Sequence, residues 1–565
     1  MGTISDKLMR IINTKEDIRQ ALISKGYDVP TSIPFKEYAK MILDLPCRVD
    51  SFPDIEGIVA RYSALGLTNE QMAENPVWKD LTGNGHDLQM KNFAWGGMSG
   101  VGGYGDENYQ TFYKFTLDDY VFIASPPGVE HMNFTFRVTG LQPGNKLTLA
   151  FFGTTNTVYG IWDKDGIYTV NSAVVEVGKP VYFYNGYGAT RGEFTIEILP
   201  LYPGFILGDG VDDVAVTEKE LNFEDTYTVY TAFIPFQNNP TRNMILCGAD
   251  SKKTFSMQYS SLVYVSFIEG NNFYINADFV NGFNLFACKR NGNNICIKNL
   301  LTNKVVTGTC GDWVENAGLY YLWKNATYAS FAGVGIAGQI IYNGHFTTDE
   351  EDENILNWHK KQYPWLFPDQ AWTVTGKTNE DEDRATIANI TGNGNDLILS
   401  NFGFAEGSGY NEQGEYAGYL VTDGVDDKIV SSVFGMGKDF TIVGDWKFID
   451  NKKSGTGLVK ASSFYIYNTM IGLDLYINSG SVTNSLDGIK SINAACSDGR
   501  AYDRNWNEIL ANTGDVVGSG GILEVSSSGG RFDRIAFKNL AIYPRILSKD
   551  DCIKAYNYLQ TLKAK

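Results

Sequence analysis

The chain has 565 residues, too many for one hydrophobic core, so two to four domains are expected. Its net charge of −18 excludes a nucleic-acid partner, because a polyphosphate is bound through a basic face. With 13% aromatics, 60 glycines and only 16 prolines, the composition excludes disorder and favours packed β structure with tight turns. The cysteines (Cys47, Cys247, Cys288, Cys296, Cys310, Cys496 and Cys552) are odd in number and contain no Cys-x-x-Cys pair. They imply neither a zinc site nor a disulfide framework, and they read as small buried hydrophobes. No cofactor is expected.

In chain order, residues 3–25 have the spacing of a helix, with Ser5 as cap, Leu8, Ile11, Ile12, Ile18, Leu22 and Ile23 on one face, and Gly26 as terminator. Pro30 and Pro34 interrupt it, and Phe35, Tyr38, Ala39, Ile42 and Leu43 give a second short amphipathic helix ending at Pro46. Two short helices bury little alone. Their apolar stripes fit a second copy of the chain, a docking protein, or the chain's own β body. Charges at Asp6, Lys7 and Arg10 are followed by no apolar run, so no secretory signal is read and synthesis in a cytosol is expected. The segment Thr3-Ile4-Ser5-Asp6-Lys7-Leu8, with Thr14-Lys15-Glu16-Asp17-Ile18-Arg19-Gln20-Ala21-Leu22 and Lys25-Gly26, resembles the N-terminus of tail- and head-fibre proteins of tailed bacteriophages, including crAss-like phages. That resemblance implies an attachment or oligomerisation module over residues 1–46, joining other virion proteins or copies of itself, without catalytic residues.

From Ile58 short β-rich runs begin, punctuated by Gly and Asn. Asp80-Leu81-Thr82-Gly83-Asn84-Gly85 is a turn by composition, since Asn and Gly reach positive φ cheaply. Residues 103–202 then carry strand patterns of their own at 134–138, 147–151, 166–170 and 193–198, read as an inserted β-sandwich. Within it Trp162, Tyr182, Tyr184 and Tyr187 fit either sugar stacking or core and rim packing. The first domain resumes with strands at 227–233 and 262–267 and a hairpin over 283–297. The weakly polar run from Phe331 to Tyr342 is too short and too glycine-rich to span a bilayer. A buried strand pair is expected there, and membrane insertion is not. Thr347 is placed to cap a helix through Trp358, and Pro364 and Pro368 mark a linker.

Three words recur in the same order, which signals one fold used twice. Thr82-Gly83-Asn84-Gly85-His86-Asp87-Leu88 returns as Thr391-Gly392-Asn393-Gly394-Asn395-Asp396-Leu397, and Asp209-Gly210-Val211-Asp212-Asp213 as Asp423-Gly424-Val425-Asp426-Asp427. Ile341-Tyr342-Asn343-Gly344-His345-Phe346-Thr347 returns as Ile542-Tyr543-Pro544-Arg545-Ile546-Leu547-Ser548, ahead of a Ser548-capped helix. From Asn84 to Asp213 is 129 residues and from Asn393 to Asp427 is 34; the difference of 95 measures the insert. These words resemble the laminin-G-like, concanavalin A-like lectin and glucanase family. The resemblance implies a mainly β fold: two concanavalin A-like jelly rolls, one carrying the inserted β-sandwich, plus the short helical N-terminus. The expected organisation is 1–46 helical; 47–102 with 203–367 the first jelly roll; 103–202 the insert; and 368–565 the second jelly roll.

Chemistry is sparse. The Asp-Gly-Val-Asp-Asp clusters fit either Ca²⁺ ligation or a turn whose aspartates cap backbone donors. A retaining glycosidase holds two carboxylates about 5–5.5 Å apart on one strand face, and no strand here alternates acidic and apolar residues in that way. Glu380-Asp381-Glu382-Asp383 reads as a loop, and Asp349-Glu350-Glu351-Asp352-Glu353 as a helix start. The four histidines are dispersed and no Gly-x-Ser-x-Gly elbow is present. Together the readings point to a non-enzymatic phage virion protein, a head-fibre or tail-fibre component. It would act as a homo-oligomer, with host-surface glycans as a candidate ligand beside a purely structural spacer role, and no catalytic, metal or binding residue is assigned. The alternative is a bacterial glycan-binding adhesin or a glycoside hydrolase.

Overall fold

A computed structural model describes residues 52–103, 194–235, 282–312, 333–449, 492–510 and 534–564 without interruption, together with shorter stretches, mostly strands, between them. Residues 1–51, and with them both expected N-terminal helices, lie outside the described residues. The chain is mainly β and built of antiparallel sheets. Two eight-stranded sheets face each other in each jelly roll, and two four-stranded sheets make the insert.

Each jelly roll is organised by one long central strand. In the first, Gly333–Asn343 pairs with Thr226–Pro235 on one side, and with Ile206–Asp209 and then Ile58–Ser63 on the other. In the second, Ile535–Tyr543 pairs with Thr441–Phe448 on one side, and with Tyr419–Val421 and then Gln370–Thr373 on the other. Even the irregularities match, with a register shift at Ala232/Phe233 and its counterpart at Asp445/Trp446. Nearly every side chain of both central strands is buried, which is why their sequences lack alternation. Where a strand pair was expected over 331–342, the described residues from Gly333 on form one strand, and Gly338 sits where a Cβ would meet Tyr62 O at 2.5 Å. Likewise Ile535-Ala536-Phe537 and Ala541-Ile542-Tyr543 belong to a single strand. The polar break between them is Lys538-Asn539, and Asn539 Oδ1 accepts the Asp445 N–H at 3.1 Å inside the structure.

The insert's strands pair only with one another: Phe112–Phe115, His131–Thr139, Gly166–Val174 and Phe194–Ile198 in one sheet, Tyr120–Ile123, Lys146–Phe152, Asn156–Trp162 and Val181–Gly186 in the other. Alternation works here, since Phe194–Ile198 buries Phe194, Ile196 and Ile198 while Thr195 and Glu197 face outward. Phe136, Val138, Leu147, Leu149, Phe183 and Ile196 fill the space between the sheets.

The helices Asp349–Gln362 and Lys549–Thr561 close the two jelly rolls. Ser548 caps the second as expected, accepting from Asp551 N. The first is capped by Thr348 in a reciprocal box with Glu351, one residue later than expected. Thr347 is instead buried, its hydroxyl oxygen 2.8 Å from Tyr230 Oη.

One continuous apolar cluster joins the three bodies. It contains Tyr342, Ile355 and Trp365 from the first jelly roll and Tyr543, Trp506, Tyr556 and Leu559 from the second, with Ile167 of the insert against it. Polar bonds cross the same seam. Trp506 Nε1 donates to Thr169 Oγ1 of the insert at 2.9 Å, and Asn557 Nδ2 to Pro200 O at 2.9 Å. Tyr558 Oη receives Phe283 N–H at 3.1 Å, and Tyr543 Oη donates to Trp365 O at 2.9 Å. Trp506 is fully buried, so Trp506→Ala should cost about 3–5 kcal/mol. Urea unfolding followed by circular dichroism should give one transition for the parent and an earlier, split transition for the variant. Coincident curves would show that the seam does not couple the three bodies.

Candidate functional site

The Asp-Gly-Val-Asp-Asp word forms the same corner twice. In the first jelly roll Asp213 Oδ2 accepts Asp209 N–H at 2.8 Å, and Asp213 Oδ1 accepts the Ser99 hydroxyl at 3.0 Å. In the second, Asp427 Oδ2 accepts Asp423 N–H at 2.7 Å, and Asp427 Oδ1 accepts the Ser408 hydroxyl at 3.1 Å. Asp209 Oδ1 and Asp423 Oδ1 each take the N–H two residues on at 2.7 Å, closing an Asx turn around Gly210 and Gly424 at positive φ. Asn92 and Asn401 donate to the carbonyls of Asp212 and Asp426, both at 3.0 Å. The backbone beside each serine is fixed as well: a Cβ on Gly100 or Gly409 would meet Asn69 Oδ1 or Asn379 Oδ1 at 2.6 and 2.5 Å.

These contacts favour the turn over the metal loop. The carboxylates of Asp209, Asp212 and Asp213 lie within 4.8 Å of one another, as do those of Asp423, Asp426 and Asp427. Yet both oxygens of the most buried member, Asp213 or Asp427, point at donors of the protein itself. Burial pushes the Asp213 carboxyl up to about 7 and that of Asp427 to about 6, partly opposed by these hydrogen bonds.

The acidic runs likewise serve local structure. Asp381 receives both Thr378 N–H and the Thr378 hydroxyl at 2.9 Å, holding a turn. Glu351 completes the helix cap. Asp352, read only as part of a charged helix start, is buried, where it accepts Lys289 Nζ at 2.7 Å and Tyr230 Oη at 2.7 Å. Sequence alone gave no signal for this cluster, because its members are far apart in the chain. Removing one partner of such a buried pair costs about 3–5 kcal/mol. Of the aromatics considered for sugar stacking, Trp162 packs edge-on against Phe136 at 4.9 Å, as part of the insert's own core. Tyr187 and the side chains of Tyr182 and Tyr184 lie outside the described residues.

A rim the sequence reading missed has the geometry of a binding surface. Trp95 and Phe404 occupy equivalent positions, both half-buried, with φ of 54° and 49°. An aromatic residue in the left-handed region is strained and persists only where its surroundings hold it. Phe93 stacks on Trp95 at 5.1 Å, and Phe402 lies 5.9 Å from Phe404. In the second jelly roll the rim borders an open cleft of about 610 Å³, lined by Asn379, Glu380, Phe404, Glu406, Asn411 and Glu412. Asn411 Oδ1 is buried there without a hydrogen-bond partner. The cleft combines two rings, Phe404 and Tyr410, with several acceptors, a set suited to hydroxyl donors.

No protein-family model matches the chain, and no curated protein matches it. Among solved structures, the botulinum neurotoxin serotype D binding domain is similar at 10% identity and a TM-score of 0.27, over 62% of this chain and 89% of that one. The serotype C1 binding domain is similar at 11% identity and 0.25, over 62% and 86%. The carbohydrate recognition domain of Emp47p is similar at 9% identity and 0.20, over 25% of this chain and 84% of that one. At such scores the likenesses carry no function across.

The buried aspartates make stability depend on pH with a definite sign. Their folded values lie above the unfolded value of about 3.9, so the folded chain retains protons that the unfolded chain releases. That stabilisation is complete below about pH 4 and is lost as pH rises through about 6 to 7. Thermal unfolding midpoints should therefore fall across this range, and the Asp213→Asn/Asp427→Asn double variant should lose that part of the slope. Superimposable profiles would rule the effect out. A chelator should leave the midpoint unchanged, whereas a rise of several degrees with added Ca²⁺ would restore the metal reading.

Proposed function

We propose that the chain is a structural protein of a bacteriophage virion, a head-fibre or tail-fibre component without catalytic activity. Residues 1–46 anchor or oligomerise it, and the fused sandwiches present a rigid surface to host glycans. The virion half of the reading is supported by the resemblance of residues 3–26 to phage fibre N-termini. The glycan half is carried by one observation: a strained aromatic rim, Trp95 and Phe404, formed twice and bordered in the second jelly roll by an acceptor-lined cleft. A ring face suits the C–H face of a pyranose, while Glu380, Glu406 and Glu412 would accept its hydroxyls. The absence of an enzymatic role is supported by Asp381, Glu351 and Asp352 of the acidic runs, whose carboxylates serve a turn, a cap and a buried ion pair.

Two measurements test this. Mass spectrometry of purified particles should find the chain as a stoichiometric component, and its absence would end the virion reading. On a glycan array the full chain should retain a subset of glycans, with binding reduced at least about tenfold by Phe404→Ala. Unchanged binding in that variant would move the site elsewhere, and release of reducing sugar would favour the hydrolase.

A further inference from the structure

The seam between the jelly rolls encloses a cavity of about 260 Å³. Its walls come from both copies: Phe283, Leu356 and Phe367 from the first, Ile390, Tyr558 and Leu562 from the second, all buried. Its mouth lies at Asn393 and Pro544, which are exposed. Two cations, Lys360 and Arg545, also line it and are half-buried. Arg545 Nη1 donates to the Lys360 carbonyl at 2.7 Å, which fixes the guanidinium beside the cavity. Among the described residues neither cation forms an ion pair with a carboxylate, although acidic residues outnumber basic ones 65 to 47 over the whole chain. Asp369, the one carboxylate in the lining, receives Gln370 Nε2 at 3.3 Å. A chamber with apolar walls, two cations and a single carboxylate at its edge complements a molecule that is apolar at one end and anionic at the other.

We propose that this cavity binds a medium-chain monocarboxylate, its hydrocarbon tail between the two jelly rolls and its carboxylate on Arg545 and Lys360. At about 30 Å³ per water-sized group the chamber of about 260 Å³ holds roughly nine non-hydrogen atoms, room for the eight carbons of octanoate with its carboxylate oxygens at the cations on the edge. Arg545 offers a planar fork matched to a carboxylate, and Lys360 a second point charge. Because the walls belong to both copies, occupancy stabilises the seam through mass action. The site is separate from the aromatic rim and stands whether or not the chain binds glycans.

The test is calorimetric titration of the full chain with octanoate, octan-1-ol and octylammonium. Octanoate should bind saturably, and octylammonium at least about tenfold more weakly. Lys360→Gln, which keeps the backbone carbonyl that holds Arg545, should weaken octanoate without weakening octanol. Leu301→Trp, at a half-buried lining position, should fill the chamber and abolish both. The proposal is overturned if octanoate gives no saturable heat up to about 1 mM, which corresponds to about −4.1 kcal/mol. It is equally overturned if octylammonium matches octanoate, or if Leu301→Trp binds like the parent.

Discussion

The architecture depends on the burial of both faces of the central strands. Gly333–Asn343 and Ile535–Tyr543 each pack one face into the interior of their own jelly roll and the other toward a closing helix. A sheet with only one apolar face would leave each jelly roll complete in itself. Here the second face must be covered, and Asp349–Gln362, Lys549–Thr561 and the linker residues Trp365, Leu366 and Phe367 cover it in common. The hydrophobic effect has no direction; the direction comes from Trp506, Asn557 and Tyr558, whose polar atoms have single partners across the seam. Apolar area thus supplies the attraction, and a few buried hydrogen bonds fix how the three bodies meet.

The duplicated corners show which atoms the fold requires. Asp80 Oδ1 accepts Arg61 N–H, Thr82 N–H and the Thr82 hydroxyl; in the second copy Asn389 Oδ1 accepts Ala371 N–H, Thr391 N–H and the Thr391 hydroxyl. All three donors converge on one oxygen that both residues offer; their other atoms differ, since Asp80 Oδ2 accepts the His86 N–H at 3.3 Å whereas Asn389 Nδ2 donates to the Gly394 carbonyl. At Asp213 and Asp427 the demand differs, because two donors approach two different oxygens. Both copies carry aspartate there despite the cost of burying it, which agrees with the raised carboxyl values at both sites.

Much of this was legible in the sequence. The turns were, because Gly and Asn at positive φ leave a compositional mark, and so were the insert's half-buried strands, whose side chains alternate. The mainly β class followed from those signals. The central strands were misread because burial on both faces removes the alternation that betrays a strand. Lys289 and Asp352, 63 residues apart, had no local signature as a buried pair. The aromatic rim was missed for a different reason. Trp95 and Phe404 look like ordinary strand-flanking aromatics until their backbone conformation is known. Propensity reports where a residue is comfortable, and a rim held in strain is where that report fails.

The insert makes the two copies unequal in a way their shared words conceal. In the second jelly roll Gly418 N–H returns to Asn411 O at 2.7 Å, closing a short loop over the cleft. In the first, the equivalent point is Gly102, where Tyr202 N–H returns to Gly102 O at 2.7 Å after the whole inserted sandwich. The insert therefore grows from beside the first rim and reaches the second copy, where Thr169 and Thr135 meet Trp506 and Asn557. A surface loop tolerates so large an addition because closing a longer loop costs little extra entropy, and docking onto the neighbouring copy adds buried contacts. One rim thus stands at the root of a scaffold element while the other borders an open cleft.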